Sequence, residues 1–198
     1  LESTVMALSQ AMPHKAIASW GSHRGHYIFG TDPRTGERYV QTTFDSDGGA
    51  GAVSGYDGYE GACTFPTLGS VQRGNVEEVE IRFPWRIVQY HFVEDMSGAG
   101  KWRGGSGMRW DALNVGSEGG MATGSSDGDQ THPPAAAGGM PSPLCTAYLQ
   151  RNGERIPVKP HRMYQIRPGD LLVKISGGGS GVGNPREREP EKVLNDVI

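Results

Sequence analysis

A chain of 198 residues is long enough for one sizeable core or two small ones. Its formal net charge of −3, with Lys and Arg spread along it, argues against a nucleic-acid footprint or an anionic membrane surface. No apolar run approaches the roughly 20 residues that span a bilayer. Two cysteines, Cys63 and Cys145, are too few for a disulfide framework and too far apart for a CxxC site, so a cytoplasmic home is expected.

Glycine is the outlier, 31 residues without a strict period, alongside 13 prolines and 8% aromatics. That pattern excludes collagen and wholesale disorder and points to a turn-rich β protein. The opening, Leu1-Glu2-Ser3-Thr4, has no initiator Met and no basic or apolar leader region. It reads as a piece of a longer chain.

Along the chain, Val5, Leu8 and Met12 stand at helical spacing and Pro13 closes the segment, which predicts a short helix over 1–12. Residues 26–29 and 38–44 are strand-like, and Asp32-Pro33-Arg34-Thr35-Gly36 supplies the turn of a hairpin. Residues 45–62 are rich in glycine and acids, too long for a simple turn, and read as a functional loop or one wrapped over another domain. Residues 76–82 and 85–94 form a pair of segments separated by Pro84, which suits an edge or a bend; Arg86 to Val93 reads as a strand.

A second glycine loop covers 97–107, and Met108 to Val115 is extended. The stretch 124–143 reads as a long surface connection, and strands follow near 145–150, 163–166 and 171–175. A glycine run at 177–183 precedes a helix from about Glu189, with Pro190 in its first turn. The expected fold is mostly β, of the α+β kind: a glycine-rich, multi-stranded β domain with short helices at both ends. A division into 1–95 and 96–198 is one expected organisation of the chain.

Several patterns carry potential chemistry. The run 177–183 has clustered backbone amides that can cradle an anion, with Gly178 and Gly179 at its centre and Gly48 and Gly49 as counterparts in the first loop. It lacks the Lys-Ser/Thr ending of a P-loop, and a tight backbone crossing explains it better. His23 and His26 are three apart; on a loop running into a strand they share a metal only if the loop bends. Asp45, Asp47, Asp57 and Glu60 can serve a hard cation or acid–base chemistry, but acids beside glycine are more often turn formers. Asp47 and Asp57, with His23 and His26 behind them, are the candidate catalytic residues. Gly124-Ser125-Ser126-Asp127-Gly128 matches a nucleophile elbow only formally.

Four segments in order carry a resemblance. They are Phe29 to Gly36 with 47–52 and 56–58; Gly74 to Trp85; Ser97 to Gly105; and Leu171 to Ile198, with Gly177-Gly178-Gly179 and Asn184-Pro185. As a set they resemble the hydantoinase B/oxoprolinase family, which includes N-methylhydantoinase B-type subunits and related subunits of acetone and acetophenone carboxylases. The resemblance implies that this chain is the C-terminal region of such a subunit, covering 1–198. It implies a hetero-oligomer with two protein partners, the N-terminal part of the B-type subunit and a hydantoinase A-type ATPase subunit.

In that family, ATP and Mg at the A-type subunit activate a small-molecule substrate by phosphorylation, and the B-type subunit completes hydrolysis of a cyclic amide or carboxylation of a ketone. A divalent transition metal belongs to the N-terminal half of the B-type subunit, so no cofactor is expected to be bound by this chain alone and no metal ligand is carried over. The family's usual Tyr-Gly-Asp-Pro ending departs here to Gly181-Val182-Gly183-Asn184-Pro185. The chain is expected to shape a substrate cavity and subunit interfaces; the rival reading is a non-catalytic assembly module.

Overall fold

A computed structural model describes residues 2–21, 24–43, 48–62, 74–116, 118–126 and 128–197. The chain starts with helix α1 (Glu2–Ala11), which Pro13 ends by opening a 3-10 turn. Ser9, the buried residue of α1, donates to Val5 O at 2.9 Å and accepts from Ile17 N at 3.1 Å, tying helix to following backbone.

The expected hairpin forms from β1 (Arg24–Thr31) and β2 (Arg38–Thr43), in register from His26 with Thr43 to Thr31 with Arg38. Its turn is organised by Asp32, whose carbonyl accepts from Gly36 N at 2.8 Å and whose carboxylate accepts from Arg34 N at 2.9 Å. Gly36 takes φ +76°, a conformation that side-chained residues resist.

Residues 76–82, read from sequence as one of a pair with the strand after Pro84, instead form helix α2 (Val76–Arg82). The reason is local. Asn75 caps it by accepting from Glu77 N at 2.9 Å, Glu77 and Glu78 occupy the positive first turn, and Arg82 pairs with Glu78 one turn back at 2.7 Å. Pro84 pushes Phe83 to φ −128°, ψ 151° and stops the helix.

Seven further strands follow: β3 (Trp85–Val93), β4 (Gly107–Asn114), β5 (Gly119–Ser126), β6 (Thr146–Arg151), β7 (Glu154–Pro157), β8 (Met163–Ile166) and β9 (Leu171–Ile175), with helix α3 (Pro190–Asn195) at the end. They make two antiparallel sheets, ordered β2-β1-β5-β8 and β3-β4-β9-β6-β7, so each sheet takes strands from both sides of residue 95. The described residues thus form a mainly antiparallel β structure with short helices at both ends.

Two strands had escaped the sequence reading. β5 falls partly in the stretch read as a surface connection, and Ser125 and Ser126 of the formal elbow lie on it. Its Gly120 leaves room for the Phe29 ring, since a Cβ there would lie 2.4 Å from it. β7 is set by Asn152-Gly153, whose φ values of +50° and +82° make the tight turn a hairpin with β6 needs.

The core lies where the two sheets face each other, built on Ile28, Met121 and Ile166 against Trp85, Trp110, Ala112, Leu149 and Leu172. Burying each large apolar side chain contributes about 1.5–3 kcal/mol. One cross-strand row further along, the interior turns polar. Thr43, His26 and Thr123 stand in register across β2, β1 and β5, and Tyr90, Trp110 and Lys174 across β3, β4 and β9.

Beyond that row lies a layer of extended backbone with little regular secondary structure. Segments 16–21, 48–59, 96–106 and 176–183 cross one another and exchange backbone hydrogen bonds: Ala18 N to Ala52 O, Ala52 N to Ser180 O, Gly98 N to Gly179 O, Gly105 N to Ala50 O and Gly179 N to Gly105 O, all at 2.8–2.9 Å. Glycine is required because the chains touch: a Cβ on Gly179 would lie 1.8 Å from Ala50 O, and one on Gly104 would lie 1.8 Å from Gly179 O. Ala16, Ala18, Ala52, Ala136 and Val182 form a second small core here.

Candidate functional site

The described part of the acidic, glycine-rich loop read as functional, residues 48–62, runs through this layer. Its two flanks are held differently. At the root, Thr43 ends β2 and is gripped from the opposite sheet by Lys174, whose Nζ donates to Thr43 O and Oγ1, each at 3.2 Å. Lys174 is fully buried and its ammonium lies 5.2 Å from the Trp110 ring centroid, within cation–π range. Thr43 Oγ1 in turn donates to His26 O at 3.4 Å.

His26, one of the candidate catalytic residues, is fully buried in this polar row rather than facing a solvent cleft. His23, Asp45 and Asp47 lie outside the described residues.

The far part of the loop is held by charge. Asp57 accepts from Arg103 N at 2.7 Å and from the Arg188 guanidinium at 2.8 and 3.1 Å. Burial pulls its carboxyl upward, but Arg188 and the Arg103 amide outweigh that and hold it below the usual carboxylate range. Asp57 is therefore ionised at neutral pH with both oxygens engaged, an anchor by geometry. Glu60 accepts from Arg103 Nη2 at 3.0 Å and also from Ser106 N.

The glycine candidates are committed inside the protein. Gly178 N donates to Met96 O and Gly179 N donates to Gly105 O, while a Cβ on Gly48 would lie 1.9 Å from Gly177 O and one on Gly49 would lie 2.3 Å from the Gly105 carbonyl carbon. This is the tight backbone crossing. Among the described residues, no three His, Cys, Asp or Glu side chains converge in a way that can hold a metal, so no metal ligand is assigned within them. No helix among them is long and apolar enough to cross a membrane.

Sequence reading passed over Lys174, Arg103 and Arg188. Lys174 did leave a signal, a cation within the apolar strand Leu171-Leu172-Val173-Lys174-Ile175. The arginines left none, because Asp57, which both engage, lies 46 residues from Arg103 and 131 from Arg188.

The ordered glycine segments and the strands between them match a known family model, Hydantoinase B/oxoprolinase, over residues 1–185. The chain belongs to this family. Within it, the caprolactamase subunit beta of Pseudomonas jessenii is 33% identical over 200 residues, covering 97% of this chain and 34% of that subunit. The crystal structure of the ATP-dependent caprolactamase from Pseudomonas jessenii superposes with a TM-score of 0.80 at 30% identity, over 96% of this chain and 34% of that one.

The nucleotide-free structure of an acetone carboxylase, from work on ATP-dependent acetone carboxylation, gives 0.74 at 18% identity, over 88% of this chain and 27% of that one. That likeness is one of fold. This hydantoinase B family chain spans about a third of the length of the curated relatives it matches.

Proposed function

We propose that this chain is a region of the B-type subunit of a multi-subunit, ATP-dependent enzyme that opens a cyclic amide, and that it shapes the substrate cavity and the subunit interfaces. The observation that carries the reading is the identity of 33% to a caprolactamase subunit over 97% of this chain. Hydrolysis is preferred to ketone carboxylation because the carboxylase likeness, at 18% identity, reaches only the fold.

On this reading an A-type subunit uses ATP to activate the substrate, and the metal-bearing remainder of the B-type subunit supplies the reacting centre. The residues of this chain contribute rigidity. Lys174 pins the root of the loop at Thr43, and Arg103 and Arg188 pin Asp57. A positioned loop matters because about 1 Å of misplacement can cost on the order of 100-fold in rate.

The rival is a pure assembly module, and it too has an observation behind it. Ile81, Val88, Phe92 and Met163 are large apolar side chains left exposed.

The test is an assay of the assembled complex with caprolactam and with acetone as probes, each with and without ATP and bicarbonate. The expected result is ATP-dependent ring opening of the lactam. Bicarbonate-dependent consumption of acetone without ring opening would replace hydrolysis by carboxylation. Loop substitutions that abolish the complex, rather than slow it, would favour the assembly module.

A further inference from the structure

Arg188 commits its whole guanidinium to contacts within the protein. A guanidinium has five N–H donors in a rigid fork. Here Nε donates to Asp196 Oδ2 at 2.9 Å, Nη1 to Asp57 Oδ1 at 2.8 Å and to Lys101 O at 3.2 Å, and Nη2 to Asp57 Oδ2 at 3.1 Å and to Asp196 Oδ1 at 3.0 Å. Each donor has its acceptor, and the side chain is only 8% exposed.

The rest of the segment grips the same region. Asp196 also accepts from Arg103 Nε at 3.1 Å, Lys192 Nζ stands 4.2 Å from the Trp102 ring centroid, and Lys101 pairs with Glu187 at 3.5 Å. These contacts form one network rather than isolated surface pairs, which is the circumstance in which such pairs hold a segment in place.

We propose that residues 186–196 are a strap that holds the 48–62 loop in shape, with Arg188 as the positioning residue that locks it. The family match ends at residue 185, so the strap lies just past the matched region. The strap joins two stretches distant in sequence, Asp57 on the loop and Lys101 and Arg103 on the second glycine segment, through Arg188 and through Asp196 at its own C-terminal end. Its consequence for turnover rests on the reading that the loop borders the substrate cavity.

Because the fork must reach two carboxylates in a plane, lysine cannot replace it: an ammonium keeps the charge but loses the bidentate geometry. The experiment is amide hydrogen exchange by mass spectrometry on the assembled complex, comparing wild type with Arg188→Met, Arg188→Lys and Asp196→Asn. Exchange in peptides covering 48–62 is expected to rise about tenfold or more in both Arg188 variants, as expected for loss of a local opening barrier, with β4 and β9 unchanged. Asp196→Asn, which keeps the Asp57 contact, is expected to give a smaller rise in the same peptides and serves if the Arg188 variants do not assemble.

Unchanged exchange across 48–62 in Arg188→Met, or in Asp196→Asn where that variant stands in, overturns the strap. So does full restoration by Arg188→Lys. Activity on caprolactam separates the two claims. A fall in kcat on the order of tenfold, with KM changed less than about twofold, supports the positioning role. A loosened loop with wild-type kcat supports the strap and removes the cavity reading of the loop.

Discussion

Lys174 is a cation inside the sheet-to-sheet core, a place where unpaired charge is costly. It is held there by Thr43 and the face of Trp110. Lys174→Ala removes those hydrogen bonds and leaves a void, so the expected loss is about 2–4 kcal/mol in urea unfolding. A loss below about 1 kcal/mol would show that the polar row does not brace the two sheets.

A partly buried ion pair bears on the behaviour in acid. Arg151 forks onto Asp170 at 2.6 and 2.8 Å, and Asp170 also accepts from Arg167 N at 2.8 Å. Burial pulls the Asp170 carboxyl upward, but Arg151 and the Arg167 amide outweigh it, leaving it below the ordinary value. A carboxyl depressed in the folded state stabilises fully above its unfolded pKa, near 3.9, and loses that contribution as pH falls through the folded value. Unfolding free energy should therefore drop below about pH 4, and Asp170→Asn should flatten that drop while lowering stability at neutral pH. An unaltered acid limb in Asp170→Asn would assign the drop to other groups.

At the scale of elements, α2 depends on its ends more than on its faces, since none of its residues is buried. Asn75→Ala should cost about 1 kcal/mol through the lost cap, read as a fall in Tm. An unchanged Tm would mean that packing on β3 alone sets the helix. The glycine layer is more demanding. Gly179→Ala places a Cβ 1.8 Å from a backbone oxygen that cannot move aside, so soluble folded yield should collapse. Gly36→Ala, with open space around it, should cost only about 1–2 kcal/mol for its positive φ.

Much of this was legible in the residues. The β1–β2 hairpin, β3 and β9 announced themselves through β-branched, aromatic and aliphatic runs, β4, β6 and β8 as extended stretches, and α1 and α3 through apolar spacing and proline. What was not legible depended on long-range partners. β5 is Gly- and Ser-rich and becomes a strand because β1 and β8 pair with it on either side. The short α2 hid behind a proline-separated pattern whose decisive signal was one Asn at the cap. In the candidate site, Asp57 stood out as an acid beside glycine, but that Arg188 claims both of its oxygens could not be read from a residue 131 positions away.

For the whole molecule, the two sheets, the crossing glycine segments and the terminal strap make a region that matches one third of a caprolactamase subunit. On the function proposed above, that region belongs to a larger ATP-dependent assembly. Native mass spectrometry of material purified through this chain, with peptide identification of each component, tests that placement most directly. The predicted result is a large complex holding the remainder of a B-type subunit and an A-type ATPase subunit. A stable lone species at 21.2 kDa would contradict it and make the chain a self-sufficient domain.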